Sequence, residues 1–298
     1  MAYLALSLEL RGLDPQQAET ACLELGALAI TFTDTRDDAV LEPAPGEVRL
    51  WPATRLQALF AGDADASRLT GQLARALALE ADRVVPELIA DRAWEREWLR
   101  DFHARRFGRR LWVCPHHEAV EQTDAIVVRL DPGLAFGTGT HPSTALCLEW
   151  LDAELQPGLG VIDYGSGSGI LGVAAALLGA ARVDAFDIDP QALLASAENA
   201  AANGVAACLH THADAQTLPR AADVLMANIL AGTLCELSGA FAARVRAGGR
   251  IVLAGILVEQ AEGVAAAHAP WFDIALFGER EGWVALAGTR KHDVHRLS

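Results

Sequence analysis

The sequence lacks the features typical of membrane-spanning, secreted and zinc-binding proteins. Its longest apolar run, Ile170 to Ala181, is shorter than the roughly 20 residues that a transmembrane helix needs. Residues Met1 to Leu10 carry no basic leader and do not resemble a signal peptide. The five cysteines are scattered without C-x-x-C spacing, which disfavours a disulfide framework and a zinc site. They are Cys22, Cys114, Cys147, Cys208 and Cys235. These absences predict a cytoplasmic protein that enters no membrane and holds no metal ion.

Positive charge is also scarce. The formal net charge is -15 at pH 7 and the isoelectric point is about 5.0, so the chain as a whole would repel a phosphate backbone. The best candidate for a basic patch, Arg100 to Arg110, also contains Asp101 and aromatic residues, so a solvated or interdomain helix face is the favoured interpretation. The composition disfavours sequence-specific binding of nucleic acid and favours a basic protein partner.

The length and composition indicate a globular protein with two domains. The chain has 298 residues, of which 52% are hydrophobic and 21% charged. In its first part, periodicity and turn signals predict the order strand, helix, strand, strand, helix, strand. The predicted elements are Tyr3 to Leu10, Pro15 to Leu25, Ala27 to Phe32, Val48 to Trp51, Ala66 to Leu79 and Arg83 to Ile89. This order predicts a small α+β, ferredoxin-like domain over residues 1–90.

A linker helix is predicted over residues 91–110. Trp94, Trp98 and Phe102 recur at four-residue steps and would share one face of a helix. Packing of this face in a core is favoured over stacking on a cofactor or a base. The remainder, residues 111–298, is predicted to form the second domain.

The second domain alternates strand-like and helical segments. The predicted strands are Val161 to Tyr164, Val183 to Asp187, Cys208 to His212, Asp223 to Ala227 and Arg250 to Gly255. Two final runs, Phe272 to Gly278 and Gly282 to Gly288, predict a hairpin. The pattern predicts an α/β, Rossmann-like domain in which a parallel sheet, covered by helices on both faces, ends in an antiparallel hairpin.

A glycine-rich turn follows the first of these strands. Residues Asp163 to Gly169 follow the pattern D-x-G-x-G-x-G, and Ile170 stands where a dinucleotide fingerprint would need glycine. Gly165 and Gly167 can adopt positive φ and leave no Cβ in the way of a ligand on the backbone. Unpaired N–H groups at the start of the next helix can bind a carboxylate. The turn resembles motif I of S-adenosylmethionine-dependent methyltransferases, with Asp163 as its acidic residue.

Two further acidic residues are candidates for holding an adenosyl group. Asp187 lies at the end of the next predicted strand, where such a residue binds the ribose hydroxyls. Asp214 is a weaker candidate for the adenine amino group, and capping at the sheet end is an equal alternative.

Asn228 follows the predicted strand Asp223 to Ala227, at the edge where ligands bind. Its surroundings resemble the N-P-P-[YF] motif of amino-methylating enzymes, in which the asparagine oxygen and the next backbone carbonyl accept hydrogen bonds from the target nitrogen. Ile229 and Leu230 replace the prolines and Ala231 the aromatic residue, which favours a flexible alkylamine over a stacked planar substrate. The alternative is that Asn228 only caps the following helix.

The segment Leu130 to Thr144 reads LDPGLAFGTGTHPST and precedes the glycine turn. Its glycines predict a pliable loop that covers a cofactor, and a tight loop with a capped helix is the alternative. The candidate contacts are Phe136, which would cover the cofactor, and the hydroxyls of Thr138, Thr140 and Thr144.

Taken together, these motifs resemble one family. The combination of WEREW, FHxxRFGxRLWVCP, LDPGLAFGTGTHPST, DYGSGSGIL, FDIDPQA and ANILA is similar to the ribosomal protein L11 methyltransferases (PrmA), and the likeness covers nearly the whole chain. Ser166 departs from the cysteine of many members, which should matter little because the turn depends on its glycines.

The resemblance implies a reaction and a site. Members transfer methyl groups from S-adenosyl-L-methionine to lysine side chains and the N-terminal amine of ribosomal protein L11, giving trimethylated products. Their N-terminal domain recognises the substrate and can swing on the linker. Thr144, Gly165, Asp187 and Asn228 correspond to cofactor-contacting positions, and Asn228 lies nearest the reaction.

Two alternatives use the same cofactor domain. One is a methyltransferase that acts on glutamine, a small molecule or RNA. The other is a sensor that binds the cofactor without transfer, for which Asn228→Ala would leave cofactor binding and biological activity unchanged. His210 and His212 alternate on a predicted strand, but no third ligand accompanies them, so surface histidines are favoured over a metal site.

Overall fold

The computed structural model of the chain describes residues 3–35, 53–89, 103–130 and 141–292. The chain divides into two compact units, Met1–Trp98 and Leu99–Ser298. None of the helices in the described ranges combines the length and the apolar character that a membrane span requires.

The N-terminal unit has the β-α-β-β-α-β order expected of a ferredoxin-like domain. Its elements are β1 (Tyr3–Glu9), α1 (Pro15–Glu24), β2 (Ala29–Asp34), β3 (Thr54–Ala61), α2 (Ala66–Ala76) and β4 (Val85–Ile89). The strands form an antiparallel sheet in the order β2-β3-β1-β4. Alternate residues of β1 and β3, among them Leu6, Leu56 and Phe60, pack with Leu73 of α2 in one buried cluster.

One strand of this unit differs from the prediction. The helix over Ala66–Ala76 is correct, but β3 at Thr54–Ala61 was missed, and the predicted strand Val48 to Trp51 lies outside the described residues. Leu56, Ala58 and Phe60 are buried while Arg55 is exposed, which is the alternation of a half-buried strand. This signal was present in the sequence.

The second unit begins with a small sheet that was not predicted. Its strands are β5 (Arg105–Phe107), β6 (Leu111–Cys114) and β7 (Ile126–Arg129), in the order β5-β6-β7. The linker helix is therefore wrong over Arg105–Phe107, where the chain pairs with β6 instead. Trp94, Trp98 and Phe102 lie outside the described residues.

The large sheet confirms the predicted Rossmann-like class. Its seven strands follow the order β10-β9-β8-β11-β12-β14-β13. The strands are β8 (Gly160–Tyr164), β9 (Arg182–Phe186), β10 (Leu209–His212), β11 (Ala222–Asn228), β12 (Val245–Leu257), β13 (Phe272–Arg280) and β14 (Trp283–Arg290). Strands β8 to β12 pair in parallel, whereas β14 pairs antiparallel with both β12 and β13. The terminal hairpin is thus present as predicted.

Helices cover both faces of this sheet. They are α3 (Pro142–Glu154), α4 (Ile170–Leu177), α5 (Pro190–Ala202), α6 (Ala231–Glu236), α7 (Ser238–Ala242) and α8 (Ala261–His268). Trp150 of α3 is buried in the cluster on one face, and Phe241 of α7 is buried in the cluster on the other. Because parallel strands end at one edge of the sheet, the residues that follow β8, β9 and β11 are brought together there.

Candidate functional site

The glycine turn after β8 takes the conformation that its composition predicts. Gly165, Gly167 and Gly169 all have positive φ, and α4 begins at Ile170. The N–H of Gly165 donates to the carbonyl oxygen of Phe186 at 2.8 Å, which ties the turn to the end of β9. A Cβ at Gly165 would collide with the side chain of Ile229. Glycine at this position therefore satisfies both the backbone geometry and the packing.

Asp163 lies beneath the turn. Its carboxyl group is 1% exposed and accepts a hydrogen bond from the N–H of Gly172 at 2.9 Å. Burial raises its pKa to about 7, because the ionised form loses its hydration. The group ties β8 to α4 and does not line the cavity described below.

Asp187 lies directly after β9 and is half-buried. One of its oxygens, Oδ2, accepts from the N–H of Gly167 at 2.9 Å, and Oδ1 accepts from the N–H of Asp189 at 3.0 Å. The carboxylate is thereby held against the glycine turn. Its neighbour Ile188 is 86% exposed, an unpacked apolar side chain at the same edge that sequence reasoning missed.

Asn228 ends β11, and Thr144 lies in the first turn of α3 behind Pro142. The Asn228 amide nitrogen Nδ2 donates to Thr144 Oγ1 at 3.2 Å, and Thr144 is buried. This hydrogen bond orients the amide plane and leaves the oxygen Oδ1 available to accept. Helix capping by Asn228 is not what the structure shows, since α6 has Leu230 at its N-cap and no side-chain cap.

The glycine turn, Thr144 and Asn228 border a cavity of about 420 Å³, and Asp187 is not among the residues that line it. Thr144, Gly165, Gly167 and Asn228, all predicted, line it together. The lining residues that were not predicted are His141, Ser143, Ser166, Ile170, Leu171, Ile229, Leu230, Gly255 and Trp283. Some of them, such as Ser166 and Ile229, are sequence neighbours of predicted residues. Others, such as Gly255 and Trp283, come from distant segments, and the periodicity of the sequence does not show that these segments meet.

His141 and Trp283 form one wall of the cavity. Their rings meet edge to face with centroids 4.6 Å apart. His141 is the N-cap of α3, and its Nδ1 accepts from the N–H of Ser143 at 3.3 Å. Burial lowers the pKa of His141, which favours the neutral ring.

Asp214 lies away from the cavity. Asp214 is exposed and does not line the cavity; its carboxylate accepts from the N–H of Gln216 at 2.8 Å and caps the short 3-10 helix Ala215–Thr217. Its capping role is thus observed. Phe136, Thr138 and Thr140 lie outside the described residues.

His212 is not the surface histidine that was predicted, because its side chain is only 13% exposed. Its Nε2 lies 2.8 Å from an oxygen of buried Asp184, and its Nδ1 lies 2.7 Å from Thr217 Oγ1. Arg182 also donates two hydrogen bonds to Asp184. Over the described ranges, no group of three or more His, Cys, Asp or Glu side chains is arranged to hold a metal ion.

Comparison with known proteins identifies relatives over nearly the full length. The family model described as ribosomal protein L11 methyltransferase (PrmA) matches residues 2–291. The ribosomal protein L11 methyltransferase of Pseudomonas aeruginosa (strain LESB58) is 50% identical over 283 residues, covering 94% of this chain and 96% of the relative. That of Methylococcus capsulatus is 50% identical over 278 residues, covering 93% and 95%.

A solved structure agrees. The ribosomal protein L11 methylase of Lactobacillus delbrueckii subsp. bulgaricus aligns with a TM-score of 0.60 and 33% identity, covering 64% of this chain and 100% of that chain. The resemblance inferred from the motifs is confirmed. With a matching family model over almost every residue and half of its positions identical to these relatives, the chain belongs to the ribosomal protein L11 methyltransferase (PrmA) family.

Proposed function

We propose that this protein transfers methyl groups from S-adenosyl-L-methionine to amino nitrogens of ribosomal protein L11, namely lysine side chains and the N-terminal amine. The reaction would take place in the cytoplasm. The observation that carries the proposal is the position of Asn228, whose oriented amide borders the same cavity as the glycine turn. Membership of the family supports the choice of substrate.

The residues around the cavity suit an adenosyl donor. Gly165 and Gly167 give the turn its positive-φ backbone, and N–H groups at the start of α4 suit the methionine carboxylate. Asp187, held beside the turn, suits the ribose hydroxyls, and exposed Ile188 offers an apolar surface for the adenine ring. Phe136, Thr138 and Thr140 keep their predicted roles as further contacts, Asp214 remains only the weaker candidate for the adenine amino group, and Asp163 supports the turn from below.

The catalytic task of the protein is to position a neutral amine. When bound, S-adenosylmethionine supplies an electrophilic methyl group on sulfur and leaves as S-adenosylhomocysteine. A lysine ammonium, with a usual pKa near 10.4, must lose a proton before its lone pair can attack. Asn228 Oδ1 and the carbonyl oxygen of Ile229 accept hydrogen bonds from the amine and direct its lone pair toward the methyl carbon.

The proton goes to solvent. No carboxylate lines the cavity in the part of the chain that the structure describes; Asp163 is buried behind the turn, and the Asp187 carboxylate is held by the N–H groups of Gly167 and Asp189. Positioning therefore contributes more to catalysis than a dedicated general base.

The shape of the site suits an alkylamine that is methylated repeatedly. Leu230 is 61% exposed at the cavity and offers an apolar surface for a lysine stem. Ala231 replaces the aromatic residue of the generic motif, so the motif itself places no ring beside Asn228, and the rings at the cavity are those of His141 and Trp283.

Each domain has a separate proposed role. We assign recognition of ribosomal protein L11 to the domain at residues 1–90, a connecting role to the part of the predicted linker 91–110 that precedes β5, and methyl transfer to the domain that contains β5 and residues 111–298. The net charge of -15 suits a basic protein partner and disfavours direct reading of nucleic acid.

A transfer assay tests the proposal. The purified full-length chain is incubated with S-adenosylmethionine and unmethylated ribosomal protein L11, and the modified nitrogens are mapped by mass spectrometry. We expect methylated lysines and a methylated N-terminus, and Asn228→Ala should lower kcat at least a hundredfold while the protein still binds cofactor. Asn203→Ala is the control, because Asn203 bonds the backbone of Arg129 outside the cavity. Methylation of glutamine or RNA only, or full activity of Asn228→Ala, would refute the proposal.

A further inference from the structure

Gly255 lies at an irregular point of β12, next to the cavity. The pairing of β12 with β14 shifts register between Leu253 and Ile256, as at a β-bulge. Gly255 has φ of 78°, in the left-handed region that other residues rarely adopt. The bulge brings the backbone of β12 up against the end of β11.

The two acceptor oxygens of the proposed amine site both lie against this glycine. A Cβ at Gly255 would lie 2.5 Å from the carbonyl oxygen of Ile229 and 3.0 Å from Asn228 Oδ1. Real Cβ atoms essentially never approach another heavy atom within 3.0 Å. Any side chain at position 255 must therefore displace the Ile229 carbonyl and crowd the Asn228 amide oxygen.

Ile229 cannot simply move away from such a side chain. On its other side, its methyl group Cγ2 fills the space where Gly165 lacks a Cβ. Ile229 is thus held between two glycines with positive φ, one in the cofactor turn and one in the bulge. A shift away from position 255 would press on the glycine turn.

We propose that Gly255 is a positioning residue for methyl transfer. It lets β12 contact the two oxygens directly and thereby sets the direction in which they accept hydrogen bonds from the target amine. This inference rests on the proposed amine transfer and names a residue that determines its geometry. Ile229, which replaces a proline of the generic motif, then connects the acceptor carbonyl to the glycine turn, because its carbonyl oxygen lies against Gly255 and its Cγ2 methyl group against Gly165.

The test compares two alanine variants in the full-length protein. Gly255→Ala adds a Cβ against the acceptors. Gly248→Ala is the matched control. Gly248 lies in the same strand and has φ of 73°, and a Cβ added there would lie 3.8 Å from the nearest neighbouring atom. The two variants carry similar backbone strain, so a difference between them reports the contacts with Asn228 and Ile229.

The first readout is the steady-state transfer to ribosomal protein L11. A displacement of about 1 Å at a reacting centre costs on the order of a hundredfold in rate, so we expect Gly255→Ala to lower kcat between tenfold and a hundredfold more than Gly248→Ala. The KM for the protein substrate and the Kd for S-adenosylmethionine should change less than threefold. Equal kcat values for the two variants would overturn the inference.

The second readout does not require transfer. Sinefungin carries a primary amine where S-adenosylmethionine carries its methyl group, so its affinity relative to S-adenosylhomocysteine reports the two acceptors. We expect the wild-type protein to bind sinefungin more tightly than S-adenosylhomocysteine. Calorimetry should show that Gly255→Ala lowers this affinity ratio at least fivefold and that Gly248→Ala leaves it unchanged. A wild-type chain that binds both ligands but methylates no amine would refute the proposed function, and this affinity ratio would still decide the role of Gly255.

A folding defect is distinguished by a further variant. Gly255→Asn keeps the added Cβ, but asparagine tolerates positive φ better than alanine. We expect the same loss of sinefungin preference with a thermal midpoint nearer to wild type. If both Gly255 variants fail to fold while Gly248→Ala folds, the glycine serves packing only and the positioning role is wrong.

Discussion

The side-chain nitrogen of Asn228 donates a hydrogen bond of 3.2 Å to the hydroxyl of Thr144, a residue 84 positions earlier in the chain. Thr144 belongs to the first turn of α3, and Asn228 to the end of β11. The contact links the last residue of the predicted covering segment, Leu130 to Thr144, to the proposed reacting centre. It also fixes the orientation of the Asn228 amide beside the cavity.

Removal of the Thr144 hydroxyl should therefore misorient Asn228. A lost hydrogen bond between neutral groups costs about 1 kcal/mol, so we expect Thr144→Val to lower kcat about fivefold. Thr144→Ser keeps the hydroxyl and should retain most of the activity. Steady-state kinetics of the two variants decide the point, and equal losses would show that the hydroxyl does not orient the amide.

Asp187→Ala should weaken cofactor binding. A hydrogen bond to a charged group contributes about 1.5–3 kcal/mol, which corresponds to a loss of roughly tenfold or more in affinity. Calorimetry with S-adenosylhomocysteine measures the change. The control is Asp223→Asn, because Asp223 accepts from the N–H of Gly160 at the opposite end of β8. An unchanged Kd for Asp187→Ala would remove this residue from the cofactor site.

Asp163 should make the protein less stable as pH rises. Burial raises its pKa from 3.8 to about 7 in the folded state, so between these values the folded chain binds a proton that the unfolded chain has released. The contribution to the free energy of unfolding is largest near pH 4 and declines until about pH 7. Asp163→Asn lacks this decline.

Chemical denaturation at pH 5 and pH 8 tests this prediction. Relative to wild type, Asp163→Asn should gain on the order of 2 kcal/mol between the two pH values. The quantity compared is the change in the free energy of unfolding between pH 5 and pH 8 in each protein. A destabilisation by the buried amide that is the same at both pH values therefore cancels. A parallel pH dependence of the two proteins would show that Asp163 is ionised in the folded state.

His268 should make the protein sensitive to acid. Its ring is fully buried next to Phe241 and Phe272, and its Nδ1 lies 3.0 Å from the carbonyl oxygen of Val264. Burial lowers the pKa of His268 below 6.5, so the unfolded state binds a proton more readily than the folded state. Stability is therefore constant above about pH 6.5 and falls as the pH drops below that value.

Replacement of the imidazole removes this effect. We expect His268→Leu to lose less stability than wild type between pH 7 and pH 5, measured as the change in thermal midpoint. The packing cost of the substitution is present at both pH values and does not affect the slope. An identical slope in the two proteins would contradict the burial argument.

Much of the cofactor side of the site was predictable because it is local. Gly165, Gly167 and Asp163 lie within five residues, and the positive φ and hydrogen bonds of such a turn depend on its own composition. The alternation of β3 was equally local and was overlooked. The strand at Arg105–Phe107 was missed for a different reason, since the aromatic spacing before it favoured continuation of a helix.

The amine side of the site was only partly predictable. Asn228 was identified from its place after a strand, but its partner Thr144, the neighbouring Gly255 and the wall formed by His141 and Trp283 were not assigned to it. Nothing in the local pattern of residue 255 distinguishes it from another glycine at the end of a strand.

The sequence by itself determined the class of the fold, the cofactor turn and the family, because periodicity, glycine placement and motif order act over short stretches of chain. The tertiary structure alone decided which residues meet around the cavity at Asn228. Those contacts depend on the order β8-β11-β12-β14 in the sheet, which places strands from distant parts of the chain side by side. Pairing order is a property of the packed sheet as a whole, and local propensity does not encode it.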